Sequence, residues 1–359
     1  MHSKTQNLKA SRVREAGFSL LEMMIAMIIF LIFMGAVYGL LRIGNIQKSS
    51  VNTQTEIIKN IRLSLNTIGR DAVNAGLGYS RVGGFVPDNL TALRMNLPLD
   101  ADTGQDLITA VISGNEINDN LALDAGKTDA VSFAFRDLNF NNPDPVNKAN
   151  GDPLKLTAAA DLSGSGVSIT TAVNVTDISR RYDLYLISDG TRTALGMVTA
   201  VSGGGTTLEF QTGDPLGINE LFAGASADTT SKLVGMNYPA VTAIKVNWIS
   251  YRVSEDGVLM RTIYGNNNSG TAPTAAEQIQ MQPVAYDIQN MQIKYLLTDG
   301  TLTDDPSNAG NNQGRLNDVV QITVTISARY STTENGVTIN RVVDLNSTFS
   351  TKNLSYDIG

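Results

Sequence analysis

Glu22 is the only charged residue among the 24 from Phe18 to Leu41, a run that reads FSLLEMMIAMIIFLIFMGAVYGLL. A carboxylate set among apolar side chains has one chemistry open to it, the pairing of charge. Alone at the centre of a membrane it costs at least ~2.5 kcal/mol, and opposite a cation that cost falls. Two local settings also lower it. The start of a helix carries the positive end of the dipole, and a side chain near the end of a plain anchor can snorkel to the interface.

The other residue types narrow the chemistry further. Cysteine is absent and the single histidine, His2, lies in the basic leader. A chain without that leader has neither, which excludes Ser-His-Asp and Cys-His nucleophile systems and the common zinc sites. Catalysis by carboxylates or lysine alone remains chemically open, but no carboxylate pair stands out. The expectation is a protein that is not an enzyme, with no catalytic residue, no cofactor and no small-molecule substrate. Asp137-x-Asn139-x-Asn141 has the oxygen spacing of a calcium loop. Asn142 stands where such a loop needs glycine, however, and Lys148 where it needs a bidentate glutamate. Asp299, Asp304 and Asp305 make a second, looser oxygen cluster. Neither is expected to hold a metal.

The run that carries Glu22 is long enough to cross a bilayer. At roughly 1.5 Å per residue it reaches about 36 Å, against a hydrocarbon core of roughly 30 Å. Lys4, Lys9, Arg12 and Arg14 precede it against Glu15, a local charge of +3. The positive-inside rule keeps this leader in the cytoplasm and places the rest outside. A secretory signal has a shorter apolar core with a small-residue cleavage site after it; here the small residue, Gly17, comes before the run. Gly35 and Gly39 have the spacing of close helix–helix approach in membranes, and read equally as plain glycines of a long helix. Beyond Leu41 the pattern turns amphipathic. Ile46, Ile57, Ile58, Ile61, Leu65, Ile68 and Ala72 form a stripe, largely at threes and fours, with Lys59, Arg62, Asn66 and Arg70 on other faces. Gly76 and Gly78 supply a stop. The spacing predicts one helix from Phe18 to about Ala75, its second half packed on a sheet. Arg70 and Asp71 read equally as a structural pair or a solvated face.

Gly17-Phe18-Ser19-Leu20-Leu21-Glu22, with its basic leader and long apolar helix, resembles the prepilin signature of type IV pilins and type II secretion pseudopilins. The resemblance implies cleavage by prepilin peptidase between Gly17 and Phe18, N-methylation of Phe18, and a docking role for Glu22 in assembly. Phe18 would then present an amine one turn from Glu22, and the resemblance favours pairing with the amine of a neighbouring subunit. Major pilins often have a proline where this chain has Gly39. Ile68–Tyr79, with Arg-Asp ahead of Ala-Gly, is similar to the helix end of PilW-type minor pilins and J-type pseudopilins. So are WISYRV from Trp248, VAYDIQNMQIKY from Val284 and LNDVVQITVTI from Leu316.

From residue 80 the periodicity changes to that of strands. Asp129–Phe135, Tyr182–Ile187, Ala194–Val201, Thr206–Gln211, Val241–Val253, Val258–Tyr264, Val284–Leu297, Asp318–Tyr330, Val337–Val343 and Leu345–Ser350 read as strands. Asp189-Gly190, Asp256-Gly257 and Asn335-Gly336 read as hairpin turns. Trp248 reads as core. The expected fold is α+β and pilin-like: a long N-terminal helix packed on an antiparallel sheet, with an extra β-rich lobe. The segments are a leader over 1–17, a membrane and filament-core helix over 18–41, an amphipathic helix over 42–75, the β-rich lobe over 76–235 and the pilin-like sheet over 236–359.

The resemblance implies a PilW-type minor pilin that takes part in pilus assembly or initiation at or near the tip. At 38.4 kDa the chain is large for a major pilin. Its partners would be other minor pilins, the major pilin, the inner-membrane assembly platform and prepilin peptidase. It would sit in the inner membrane as a single pass, then in the surface pilus. A J-type pseudopilin of type II secretion is the alternative, and an adhesin or DNA-uptake subunit on a pilin stalk is another. The net charge of −7, or −10 without the leader, argues against nucleic-acid binding.

Overall fold

The computed structural model describes residues 18–99, 106–118, 127–137, 139–141, 153–161, 166–220, 233, 236–238, 241–265, 278–307, 315–334 and 337–351. Helix α1 runs from Leu20 to Asn74, 55 residues, without a break at Gly39, and so is about 82 Å long. The chain divides into two compact units. One is Met1–Gln54 with Thr332–Ile339, and the other is Thr55–Ser331 with Asn340–Gly359.

Within the second unit the last five turns of α1 follow the apolar stripe. Ile57, Ile61, Leu65, Ile68 and Ala72 are buried, whereas Lys59, Arg62, Asn66 and Arg70 are exposed. The buried residues close one core with Phe133, Trp248, Tyr251, Met291, Ile293, Ile322 and Val324. The strands are β1 (Gly84–Val86), β2 (Asp106–Ile108), β3 (Val111–Asn118), β4 (Thr128–Arg136), β5 (Leu154–Asp161), β6 (Gly166–Thr171), β7 (Leu184–Ser188), β8 (Thr193–Met197), β9 (Ala200–Ser202), β10 (Thr207–Gln211), β11 (Thr242–Val253), β12 (Leu259–Tyr264), β13 (Ile279–Ala285), β14 (Ile288–Leu297), β15 (Leu302–Thr303), β16 (Val319–Glu334) and β17 (Val337–Ser350). A short helix, α2 (Leu90–Met95), follows β1.

Among the described residues β1 to β13 join into one large sheet system with β11 at its hub. Its pairs are antiparallel except β1 with β8. β14 to β17 form a second sheet in the order β15-β14-β16-β17. The architecture is therefore α+β, a long apolar helix with a large mixed sheet and a smaller antiparallel one. Strand pairing runs across residue 235, since β11 bonds to both β4 and β7. β7 is buried on both faces. Leu184 and Leu186 face the helix-side core, and Tyr185 and Ile187 a second core with Leu156, Ile169, Leu208 and Phe210. Two opposed faces of one strand explain its unbroken apolar run.

Three strand expectations are corrected. Ala194–Val201 is split, its first part in β8 paired with β7 and its last in β9 paired with β10. Val284–Leu297 is not one strand. Asp287, at φ 59°, breaks it, leaving Val284 in β13 of the large sheet and Ile288–Leu297 in β14 of the small one. An aspartate tolerates that left-handed turn better than most residues. Val337–Val343 and Leu345–Ser350 are one strand, β17, with no break at Asp344. The Asn335-Gly336 turn lies outside the described residues. The Asp256-Gly257 hairpin joins β11 to β12 as expected, with Gly257 at φ 73°. Trp248 is fully buried, stacked on Tyr264 at 4.1 Å, and donates its indole N–H to Ser132 Oγ at 3.1 Å.

At Gly69 α1 lies directly against the small sheet, where an added Cβ would overlap the Phe349 ring. Alanine ordinarily gains about 1 kcal/mol over glycine inside a helix, but overpacking costs about 1–3 kcal/mol. Gly69→Ala is expected to lose stability in urea titrations of the full chain in detergent. Against a Phe349→Ala background the same change should be neutral or stabilising. Equal losses in both backgrounds would show that the contact does not set the requirement for glycine.

Candidate assembly site at the helix start

The residues of interest begin at the first described residue, Phe18, which is exposed. Gly17 lies outside the described residues. Ser19 precedes the first helical residue, Leu20, and makes a reciprocal pair with Glu22. The Glu22 N–H donates to Ser19 Oγ at 3.3 Å, and the Ser19 N–H donates to Glu22 Oε2 at 3.0 Å. This is a capping box, which satisfies two of the amide protons that a helix start leaves unpaired. Ser19 is a site residue beyond those expected, and the pattern S-x-x-E ahead of an apolar run is the signal in the sequence that marks it. The carboxylate thus already has one hydrogen-bond donor from its own chain, and its other oxygen remains for a second.

Behind the cap the helix is long and apolar enough to cross a membrane, and none of its most apolar stretch is buried. Met23, Met24, Ile28, Phe30, Leu31 and Phe33 are all exposed. Cβ atoms added at Gly35 and Gly39 would meet nothing within 4 Å. So large a bare apolar surface needs lipid or other apolar helices around it.

At the other end of α1, the structure decides what the sequence left open. Asp71 is buried, with only 3% of its surface exposed. Its Oδ2 accepts from the Tyr251 hydroxyl at 2.6 Å and from Arg261 Nε at 2.9 Å. Arg70 lies 3.6 Å from Oδ1 and is largely exposed, so the effective cation is Arg261 on β12. The Tyr251 hydroxyl also bonds to the Thr67 carbonyl at 3.3 Å. Burial first, and then the Asp71 charge, push the Tyr251 phenol well above its usual range, so it remains a donor. Burial is the largest single influence and works against the Arg261 charge, but the hydrogen bonds and charges of Asp71 and Tyr251 together outweigh it and hold the guanidinium protonated. The trio ties the helix end to the β11–β12 hairpin.

The two oxygen clusters have their own internal partners. Asp137 Oδ1 accepts the Asn139 N–H at 2.9 Å. Asp137, Asn139, Asn141 and Asp177 line a cleft of about 170 Å³ together with Arg180 and Lys245. Cations on the same wall oppose a calcium ion. Lys245 is itself paired with the buried Asp183 at 2.9 Å. Asn142 and Lys148 lie outside the described residues. Asp299 Oδ2 accepts from Arg315 at 2.8 Å, and that bond holds its carboxyl well below the usual range. Asp305 Oδ1 accepts the Ser307 N–H at 3.1 Å. Among the described residues no group of three acidic, histidine or cysteine side chains is placed to hold a metal.

Residues 12–38 match the prokaryotic N-terminal methylation motif. The match takes in the end of the leader, Gly17, Phe18, the capping box and much of the bare apolar helix. No curated protein matches the chain. The motif supports a protein of the type IV pilin and pseudopilin kind, processed by prepilin peptidase and associated with pilus or secretion components. With the apolar helix it supports anchoring in the inner membrane.

Proposed function

We propose that this chain is a PilW-type minor pilin. Prepilin peptidase cleaves it between Gly17 and Phe18 and methylates the Phe18 amine, and it joins a type IV pilus at or near the tip with other minor pilins and the major pilin. The observation that carries the reading is the coincidence at one helix start. A methylation motif, a capped Glu22 and a bare apolar helix are followed by a half-helix buried on a β body. Helices of this kind leave the bilayer only by packing against others like them, which a filament core provides. The methylated Phe18 amine at one helix start, still positively charged, and the second oxygen of Glu22 at another then form an ion pair in an apolar setting. That pair offsets the cost of each charge.

Mass spectrometry of the protein purified from its native membrane tests the processing step. The expected mature N-terminus is methylated Phe18; an intact leader or an unmodified N-terminus would sink the reading. A deletion strain is expected to lose or thin its surface pili. Normal pili with defective protein secretion would instead assign the chain to the J-type pseudopilins.

A further inference from the structure

Asp129 on β4 is almost wholly buried, and its two oxygens serve different sheets. Oδ1 accepts the N–H of Glu116 at 2.9 Å, where β3 loses regular register and Glu116 sits at φ 51°. Oδ2 accepts the N–H of Ile293 on β14 at 2.8 Å. One carboxylate therefore joins β3 and β4 of the large sheet to β14 of the small one. Among the described residues no cation pairs with it, and its charged neighbours are Asp304, past β15, and the side chain of Glu116. Lys127, which precedes Asp129 by two residues, is turned to Glu116 at 3.8 Å, and Lys294 on β14 is exposed. Tyr295, also on β14, is buried with its phenol raised out of reach of ionisation, first by burial and then by Asp129 and Asp305.

We propose that Asp129 is a proton-operated staple between the two sheets. Protonated, it holds the sheets without a buried charge, with the N–H bond to its hydroxyl oxygen weakened; ionised, it strengthens both N–H bonds but places an unpaired anion beside two further acids, and the cost of that buried charge is the larger effect and loosens the junction. Burial is the largest influence on its carboxyl, outweighs the two N–H bonds and, with Asp304 and Glu116, pushes it up to about 6 from the ordinary 3.8. The native state then holds a proton that the unfolded chain has already released between about pH 4 and about pH 6. Stability contributed by this group is highest below that window, falls as pH rises through it and is level above it. An ordinary surface aspartate gives no such fall. The proposal is independent of the assembly reading.

Urea unfolding of the full chain in detergent tests it. From about pH 5 to about pH 7.5 the unfolding constant is expected to rise about tenfold through Asp129. Asp129→Asn should remove that share. Asp183 and Asp214 are buried and raised too, but they are present in both proteins, so the difference isolates Asp129. Asparagine lacks the second acceptor oxygen, and if that variant does not fold, the exposed pair Glu116→Gln and Asp304→Asn decides. With both acids neutralised, the midpoint of the pH profile should move to lower pH. An unchanged tenfold dependence in a folded Asp129→Asn protein, or an unmoved midpoint in the double variant, would overturn the proposal.

Discussion

Replacing Glu22 by alanine is expected to leave the subunit in the membrane and abolish its entry into filaments. Insertion should be no worse, because the change removes from the apolar run a carboxylate whose cost reaches ~2.5 kcal/mol at the centre of a membrane and is never negative nearer its edge. Loss of the capping box costs only about 1 kcal/mol at one end of a 55-residue helix. Assembly is where the loss falls, since a neighbour's Phe18 amine would meet no counter-charge. Immunoblots of membrane and sheared-surface fractions read the two steps separately. Glu22→Gln separates the two roles of the side chain. Glutamine serves a capping box as glutamate does, but it carries no charge. If capping is what matters, Glu22→Gln assembles normally; if the ion pair matters, it fails as the alanine variant does. Normal assembly of the glutamine variant would remove the ion pair from the mechanism.

The second large effect is expected at the other end of α1. Arg261→Met keeps the length of the side chain but leaves Asp71 buried without its cation, and the expected loss is about 3–5 kcal/mol. Tyr251→Phe deletes a hydrogen bond to a charged group, an expected loss of about 1.5–3 kcal/mol. Arg70→Ala, at an exposed residue 3.6 Å away, should change stability by less than about 1 kcal/mol. Urea midpoints of the full chain in detergent provide the comparison. In the Arg261→Met background, Asp71→Asn should recover much of the loss by removing the stranded charge. If Arg70→Ala costs as much as Arg261→Met, the ion pair is not organised as the structure has it. Both ends of one helix thus depend on a carboxylate, with opposite settings. Glu22 is exposed, and its proposed partner belongs to another chain, whereas Asp71 is buried and has its partners within its own.

What could be read in the sequence was local. The leader charge, Gly17 ahead of Phe18, and the apolar run are consecutive features, and the stripe from Ile57 to Ala72 repeats with the helix itself. The Asp256-Gly257 hairpin is equally local, because one positive-φ glycine sets the turn between neighbouring strands. Even the capping box was legible, since Ser19 and Glu22 are three residues apart.

Sheet membership and the partners of buried charges lie beyond that range. Val284–Leu297 alternates with one slip of phase, at Gln289-Asn290, and the destinations of its two halves reveal that Asp287 turns the chain from one sheet to the other. Asp71 meets Tyr251 and Arg261 across 180 and 190 residues, and Asp129 reaches Ile293 across 164. Asp129 is in phase with Val131, Phe133 and Phe135 and Asp71 precedes Ala72 of the apolar stripe, but no residue near either names its partner. Burial raises the cost of an unpaired charge and so fixes which distant donor must stand opposite. Residue order alone specifies a helix long and apolar enough to cross a membrane and the acid at its start. Which acids are closed into the body follows from packing, because burial is a property of the packed chain and not of any stretch of it.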